Sequence, residues 1–143
     1  MIVVKKEARS TPFAGEVDSR RESIRMKGAD VFTYAVAVLE NTLRALSERC
    51  GDHPVDKIVP HQANEKIIDF VIRTMKFRRE QFFVNIANYA NTSSASIPIA
   101  LCDAWESGWL TAGDRVAIAG FGSGLTSGGA VIDWTIQNKK ENN

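Results

Sequence analysis

Apolar residues recur along this chain at helical spacing in three stretches, with short unbroken apolar runs between them. Val31, Ala35, Val38, Leu39, Leu43 and Leu46 predict a helix over about Val31–Arg49, capped by Asp30 and stopped by Gly51. A second helix is predicted over Asn64–Met75, with Ile67, Ile68, Val71 and Ile72 inward, and a third over about Ser94–Ser107. Pro98 lies near the first turn of that helix, where a missing N–H costs little, and Gly108 ends it. Lys57–Pro60, Phe82–Ile86, Arg115–Ala119 and Gly129–Ile136 read as strands, and Ser23–Met26 as a weak one.

The predicted order is β-α-β-α-β-α-β-β. Strands alternating with helices define an α/β domain with a mixed, mostly parallel five-stranded sheet covered by helices. The last two strands are joined by a glycine-rich turn too short for a crossover, so they are expected to pair antiparallel. Residues 1–22 read as an irregular lead-in, residues 23–137 as the domain, and residues 138–143 as a charged tail.

Composition narrows the function classes. At 143 residues with 44% hydrophobic content the chain suits one domain with a real core. A net charge of +1 argues against nucleic acid, and no apolar run reaches the roughly 18 residues of a membrane span. The start, Met1-Ile2-Val3-Val4-Lys5-Lys6, is too poor in apolar residues for a signal peptide. Cys50, Cys102, His53 and His61 form no disulfide framework and no metal spacing. A cytoplasmic protein without metal or cofactor is expected.

Chemistry gathers at strand-to-helix junctions, where open α/β sheets build their sites. His61 emerges just past the strand ending at Pro60, and Asn91 follows the one ending at Ile86. An imidazole there can exchange protons or donate to a carbonyl oxygen becoming negative; an amide can donate without changing protonation state. Thr92, Ser93 and Ser94 can serve as helix caps, which would leave the Asn91 amide free. His53 lies in a polar turn and reads as exposed. The segment Gly120–Gly129 leads into a strand rather than a helix, which excludes a dinucleotide fingerprint and suggests a close backbone approach to a ligand. Cys50 lies at a helix C-terminus, where the dipole disfavours a thiolate, and Cys102 lies mid-helix, where burial would leave it inert. A His/Asn pair without a nucleophile suggests half of an enzyme.

Three strings in register, Pro60-His61-Gln62-Ala63-Asn64, Asn91-Thr92-Ser93-Ser94-Ala95-Ser96-Ile97-Pro98 and Phe121-Gly122-Ser123-Gly124-Leu125-Thr126, resemble the C-terminal half of β-ketoacyl-acyl-carrier-protein synthase III, of the thiolase-like superfamily. The likeness runs from about Ser23 to Trp134. It implies one half of a two-half, five-layer fold, with the nucleophilic cysteine in an N-terminal half. It implies an acyltransferase of fatty acid biosynthesis that takes an acyl group from coenzyme A and condenses it with malonyl-carrier protein. His61 and Asn91 would be the catalytic pair, Ser123 would lie on the oxyanion-hole backbone, and Lys66 would help dock acidic carrier protein. The implied partners are the N-terminal half, acyl carrier protein, a coenzyme A thioester and a second copy in a homodimer.

The chain departs from the family's usual pattern at four positions. Ala90 stands where Gly usually precedes the Asn, and Ser123 where the middle glycine of the turn is usual. Ser127 replaces a large residue, and Ala29 an Asn. These departures fit a paralogue with a different acyl substrate. Two alternatives stay open: a thiolase-fold acyltransferase of secondary metabolism, and a non-catalytic half-domain. The third helix carries Ile97, Ile99, Ala100, Leu101, Ala104 and Trp105, more than one stripe requires, and so predicts contact on two sides.

Overall fold

The computed structural model describes residues 2–6, 22–122 and 124–137, with side chains from residue 27 onward. The chain forms two compact units, Met1–Tyr34 and Ala35–Asn143. In the first, β1 (Ile2–Lys6) pairs antiparallel with β2 (Glu22–Met26), Ile2 opposite Met26 and Lys6 opposite Glu22. β2 matches the weak strand expected from sequence, but the lead-in is not irregular throughout, because Ile2–Lys6 is a strand. The first turns of α1 (Gly28–Cys50) also belong to this unit.

The second unit holds a three-stranded mixed sheet in the order β3 (Lys57–Pro60), β4 (Arg115–Gly122), β5 (Thr126–Asp133). β3 and β4 are parallel, with Ile58 beside Ala117; β4 and β5 are antiparallel, with Ala119 opposite Gly129. The α/β class and the antiparallel last pair are as the sequence pattern implies. The sheet has three strands among the described residues rather than five, since β1 and β2 form their own hairpin and Phe82–Ile86 is not a strand.

The failure of that strand has a local cause. Phe82 makes a single parallel bridge to Ile58, and the Phe83 N–H donates to the Ile58 carbonyl at 3.0 Å. The next ladder step would need an N–H from residue 60, and Pro60 has none. The chain leaves the ladder here, entering α3 (Ile86–Tyr89) instead, after a 3₁₀ turn at Arg79–Gln81.

Helices cover both faces of the sheet. α4 (Ser96–Glu106) lies on one, where Ala100 and Ala104 pack with Val59, Leu110 and Val116 in a fully buried cluster. α1 covers the other. A Cβ added at Gly129 would stand 2.6 Å from Thr42 Cγ2, 3.0 Å from Leu46 Cδ1 and 2.8 Å from the Ile118 carbonyl. Ala117, Ala119 and Gly129 keep that face flat and let the helix approach closely. α2 (Glu65–Thr74) buries Ile67, Ile68, Val71 and Ile72 and is tied to α1 by a hydrogen bond from Thr74 Oγ1 to Glu40 Oε1. No described helix is long and apolar enough to cross a membrane.

Candidate active site

Four residues of the Pro60–Asn64 string, Pro60, His61, Gln62 and Asn64, have separate structural tasks. Pro60 ends β3 and interrupts pairing on one side. The His61 N–H still donates to the Ala119 carbonyl at 2.8 Å, so the backbone stays in register with β4 as the side chain emerges. Gln62, 1% exposed, replaces the ladder step that Pro60 forfeits. Its Nε2 donates to the Pro60 carbonyl at 2.8 Å and the Phe83 carbonyl at 3.2 Å, and its Oε1 accepts the Asn85 N–H at 3.1 Å. Two carbonyls on one side and an N–H on the other fix the orientation of the amide. Asn64 caps α2, its Oδ1 accepting the Lys66 N–H at 2.9 Å.

His61 is half-buried at the C-terminal end of β3, on the sheet face covered by α4. A Cβ at Gly120 would meet Ile97 Cδ1 at 3.4 Å and His61 Cβ at 4.0 Å, so the strand beside His61 can carry little more than a hydrogen. The Phe121 ring stands edge-on to the imidazole, centroids 5.3 Å apart and planes at 76°. Nδ1 is hydrogen-bonded to Ser96 Oγ at the first residue of α4. Burial removes water from the ring and pushes its pKa below 6.5, which favours the neutral imidazole.

Asn91 lies in the approach to the same helix end. Its Oδ1 accepts the Ser93 N–H at 2.9 Å, so Asn91 itself caps the 3₁₀ turn Ser93–Ala95 that runs into α4. Thr92 makes no side-chain cap, so the task expected of the Ser/Thr residues falls to Asn91, on its oxygen edge. Among the described residues no hydrogen bond engages the Nδ2 edge, and Asn91 is exposed. No hydrogen bond joins His61 to Asn91 among the described residues; the two are related through α4, which holds one by Ser96 and follows the other by a single turn. Ala90 has φ 58° and ψ −161°, a conformation that glycine alone adopts without cost.

The remaining candidates divide. Ser123 lies outside the described residues; its neighbours Gly124 and Leu125 have positive φ, as a tight turn requires. Lys66 is exposed in the first turn of α2. Cys50 is the last residue of α1. Cys102 is exposed rather than buried, because it points away from the face carrying Ala100 and Ala104. The charge of Glu106, one turn on, pushes its thiol up, so it is a poor nucleophile for a different reason than burial. His53 is exposed, as expected. No cluster of three metal-ligating side chains occurs among the described residues. Sequence reasoning missed Gln62 and Ser96; the one available signal was a polar residue at each of two positions that the packing buries.

This geometry is that of a thiolase-like half-fold with a histidine at a strand end and an asparagine at the approach to α4, and the fold has named relatives. The model of the family "3-oxoacyl-[acyl-carrier-protein (ACP)] synthase III C terminal" matches residues 48–134. The beta-ketoacyl-[acyl-carrier-protein] synthase III of Clostridium perfringens is 41% identical over 125 residues, 86% of this chain and 39% of the relative. The solved 3-oxoacyl-(acyl carrier protein) synthase III of Pseudomonas aeruginosa PAO1 superposes with a TM-score of 0.77 at 31% identity, covering 95% of this chain and 44% of that one. The priming β-ketosynthase of the R1128 polyketide pathway gives 0.74 at 31% identity, over 82% of this chain and 36% of its own. The chain belongs to the 3-oxoacyl-[acyl-carrier-protein] synthase III family and corresponds to its C-terminal domain. It spans 39% of the length of the Clostridium relative.

Proposed function

We propose that this chain supplies the histidine and asparagine of a Cys-His-Asn condensing site, with the cysteine on an N-terminal half. The observation that carries this reading is His61, held neutral and half-buried at the end of β3 with one ring nitrogen already engaged. A neutral imidazole can stabilise an enolate oxygen by donating a hydrogen bond, and the Asn91 Nδ2 is a second donor of the same kind. In the reaction the cysteine thiolate takes an acyl group from coenzyme A, and the free thiol of coenzyme A leaves. The malonyl group on carrier protein then loses carbon dioxide, and the electrons of the broken C–C bond pass into an enolate. His61 and Asn91 donate to that enolate oxygen. The enolate carbon attacks the acyl thioester, and the cysteine leaves as thiolate. Acyl-coenzyme A and malonyl-carrier protein are substrates, and no metal or cofactor is needed.

The remaining assignments follow from the same reading. Lys66 contributes to docking acidic carrier protein, and Ser123 to the oxyanion-hole backbone. Residues 23–137 are the catalytic half, working in a cytoplasmic homodimer. Alone the chain is inactive, since Cys50 and Cys102 are both poorly placed as nucleophiles. The half-buried Ile97, Leu101 and Trp105 of α4 suit contact with another half. Likeness to a polyketide priming ketosynthase, together with Ala90 in place of the usual glycine, supports a second reading as an acyltransferase of secondary metabolism.

The test joins this chain to an N-terminal half bearing the cysteine and follows carbon dioxide release from malonyl-carrier protein. Activity is expected in the joined protein and not in the chain alone. His61→Ala and Asn91→Ala should each reduce turnover by at least about a hundredfold, the typical loss on removing one oxyanion donor. Full activity in both variants would refute the assignment.

A further inference from the structure

We infer that Ser96 is a positioning residue that holds the His61 proton on Nε2, so that the imidazole faces the reacting oxygen as a donor. The argument is an accounting of one buried hydroxyl. Ser96 is 2% exposed, and its Oγ has two polar neighbours among the described residues, His61 Nδ1 and the Gln62 backbone N–H at 3.3 Å. The Gln62 N–H can only donate, so it occupies a lone pair of Oγ. A buried hydroxyl proton left without an acceptor is costly, and among the described residues the one acceptor within reach is Nδ1. Ser96 Oγ–H therefore donates to Nδ1, which must be unprotonated. The single proton of the neutral ring then lies on Nε2.

The reverse arrangement, with the proton on Nδ1, would aim two donors at Oγ and leave the hydroxyl proton unmatched. It would also present a bare Nε2 lone pair to a developing oxyanion, which repels it. The backbone supports the chosen direction: the Gln62 amide is fixed by its own three side-chain bonds, so the N–H that orients Ser96 is itself held. The tautomer follows from these contacts alone, while its catalytic use rests on the condensing site proposed above.

The test reads the tautomer directly. The chain is labelled with ¹⁵N-histidine, and long-range proton–nitrogen correlation spectra are recorded near pH 8, where the exposed His53 provides the solvent-averaged reference. The expected result is a single Nε2-protonated pattern for His61, distinct from the averaged pattern of His53. Ser96→Ala should convert His61 to a mixed or Nδ1-protonated pattern, and Ser96→Thr, which keeps the hydroxyl, should restore the parent pattern. A parent ring protonated on Nδ1, or an unchanged pattern in Ser96→Ala, would overturn the inference. If Ser96→Ala does not fold, the parent spectrum decides: an Nε2 proton upholds the inference and an Nδ1 proton overturns it. In the joined protein, Ser96→Ala should lower malonyl decarboxylation about tenfold, about the worth of one lost hydrogen bond. A correct tautomer with no decarboxylation in the parent would sink the condensing reading and leave the tautomer assignment standing.

Discussion

Replacing Gln62 by leucine removes three hydrogen bonds and almost no volume, so it isolates the value of the ladder step this side chain supplies. The Pro60 carbonyl, the Phe83 carbonyl and the Asn85 N–H would all lose their partner. Each unsatisfied buried group costs about 1–3 kcal/mol, which bounds the loss at about 3–9 kcal/mol. Pro60 and Asn85 are buried, but Phe83 is half-buried, and its carbonyl can recruit water; about 3–5 kcal/mol is the expected net loss. Against a typical domain stability of about 5–15 kcal/mol, that is a large fraction. Chemical denaturation of the parent and Gln62→Leu measures it. Gln62→Glu keeps the acceptor for Asn85 but loses both donors, and should fall as far or further because a carboxylate would then face two carbonyls. A hydrophobicity argument predicts the opposite for leucine, an apolar side chain in a buried site. A Gln62→Leu protein within about 1 kcal/mol of the parent, or one whose Asn85 amide exchanges with solvent no faster, would refute the reasoning.

Other substitutions test other features of the fold. Gly129→Ala forces a methyl against the Ile118 carbonyl and the α1 side chains and should cost about 1–3 kcal/mol in denaturant; Gly128→Ala, with open space around it, should cost far less. Ala90→Gly removes a strained backbone worth about 1–3 kcal/mol and adds an unfolded-state entropy loss of about 0.5–1 kcal/mol, so the melting temperature should rise. His61 titrates below 6.5 in the folded chain, so the folded form binds fewer protons than the unfolded one. Its contribution is complete above pH 6.5 and is lost as the pH falls from there through the folded-state value. Unfolding curves of His61→Gln should lack that part of the acid slope.

Elements resting on their own periodicity were legible in the sequence. The α2 reading of Asn64–Met75 differs from the observed Glu65–Thr74 only at its ends, because four inward apolar residues and a capping Asn define it locally. Phe82–Ile86 has the composition of a strand and fails as one for a reason 22 positions earlier: Pro60, on the neighbouring strand, cannot donate. Ile2–Lys6 pairs with a segment twenty residues away, which no local pattern encodes. His61 and Asn91 are legible because a chemically capable side chain follows a strand-like apolar run at each place, although only the run before His61 forms a strand. Ser96 did not, because a serine at a helix start looks like a cap, and only the fold places its hydroxyl against the imidazole. The mid-helix position of Cys102 beside Leu101 suggests burial; its exposure depends on which arc of α4 meets the sheet.

α4 holds His61 at its first residue through Ser96 and continues directly from the turn that Asn91 caps. Both proposed donors therefore share one mechanical reference. A shift of α4 along or across the sheet carries the two together and leaves their spacing almost unchanged, whereas a one-residue insertion within Thr92–Ala95 moves Asn91 alone. The five-residue count from Asn91 to Ser96 thus sets the offset between the two proposed donors, and it does so independently of where α4 lies on the sheet.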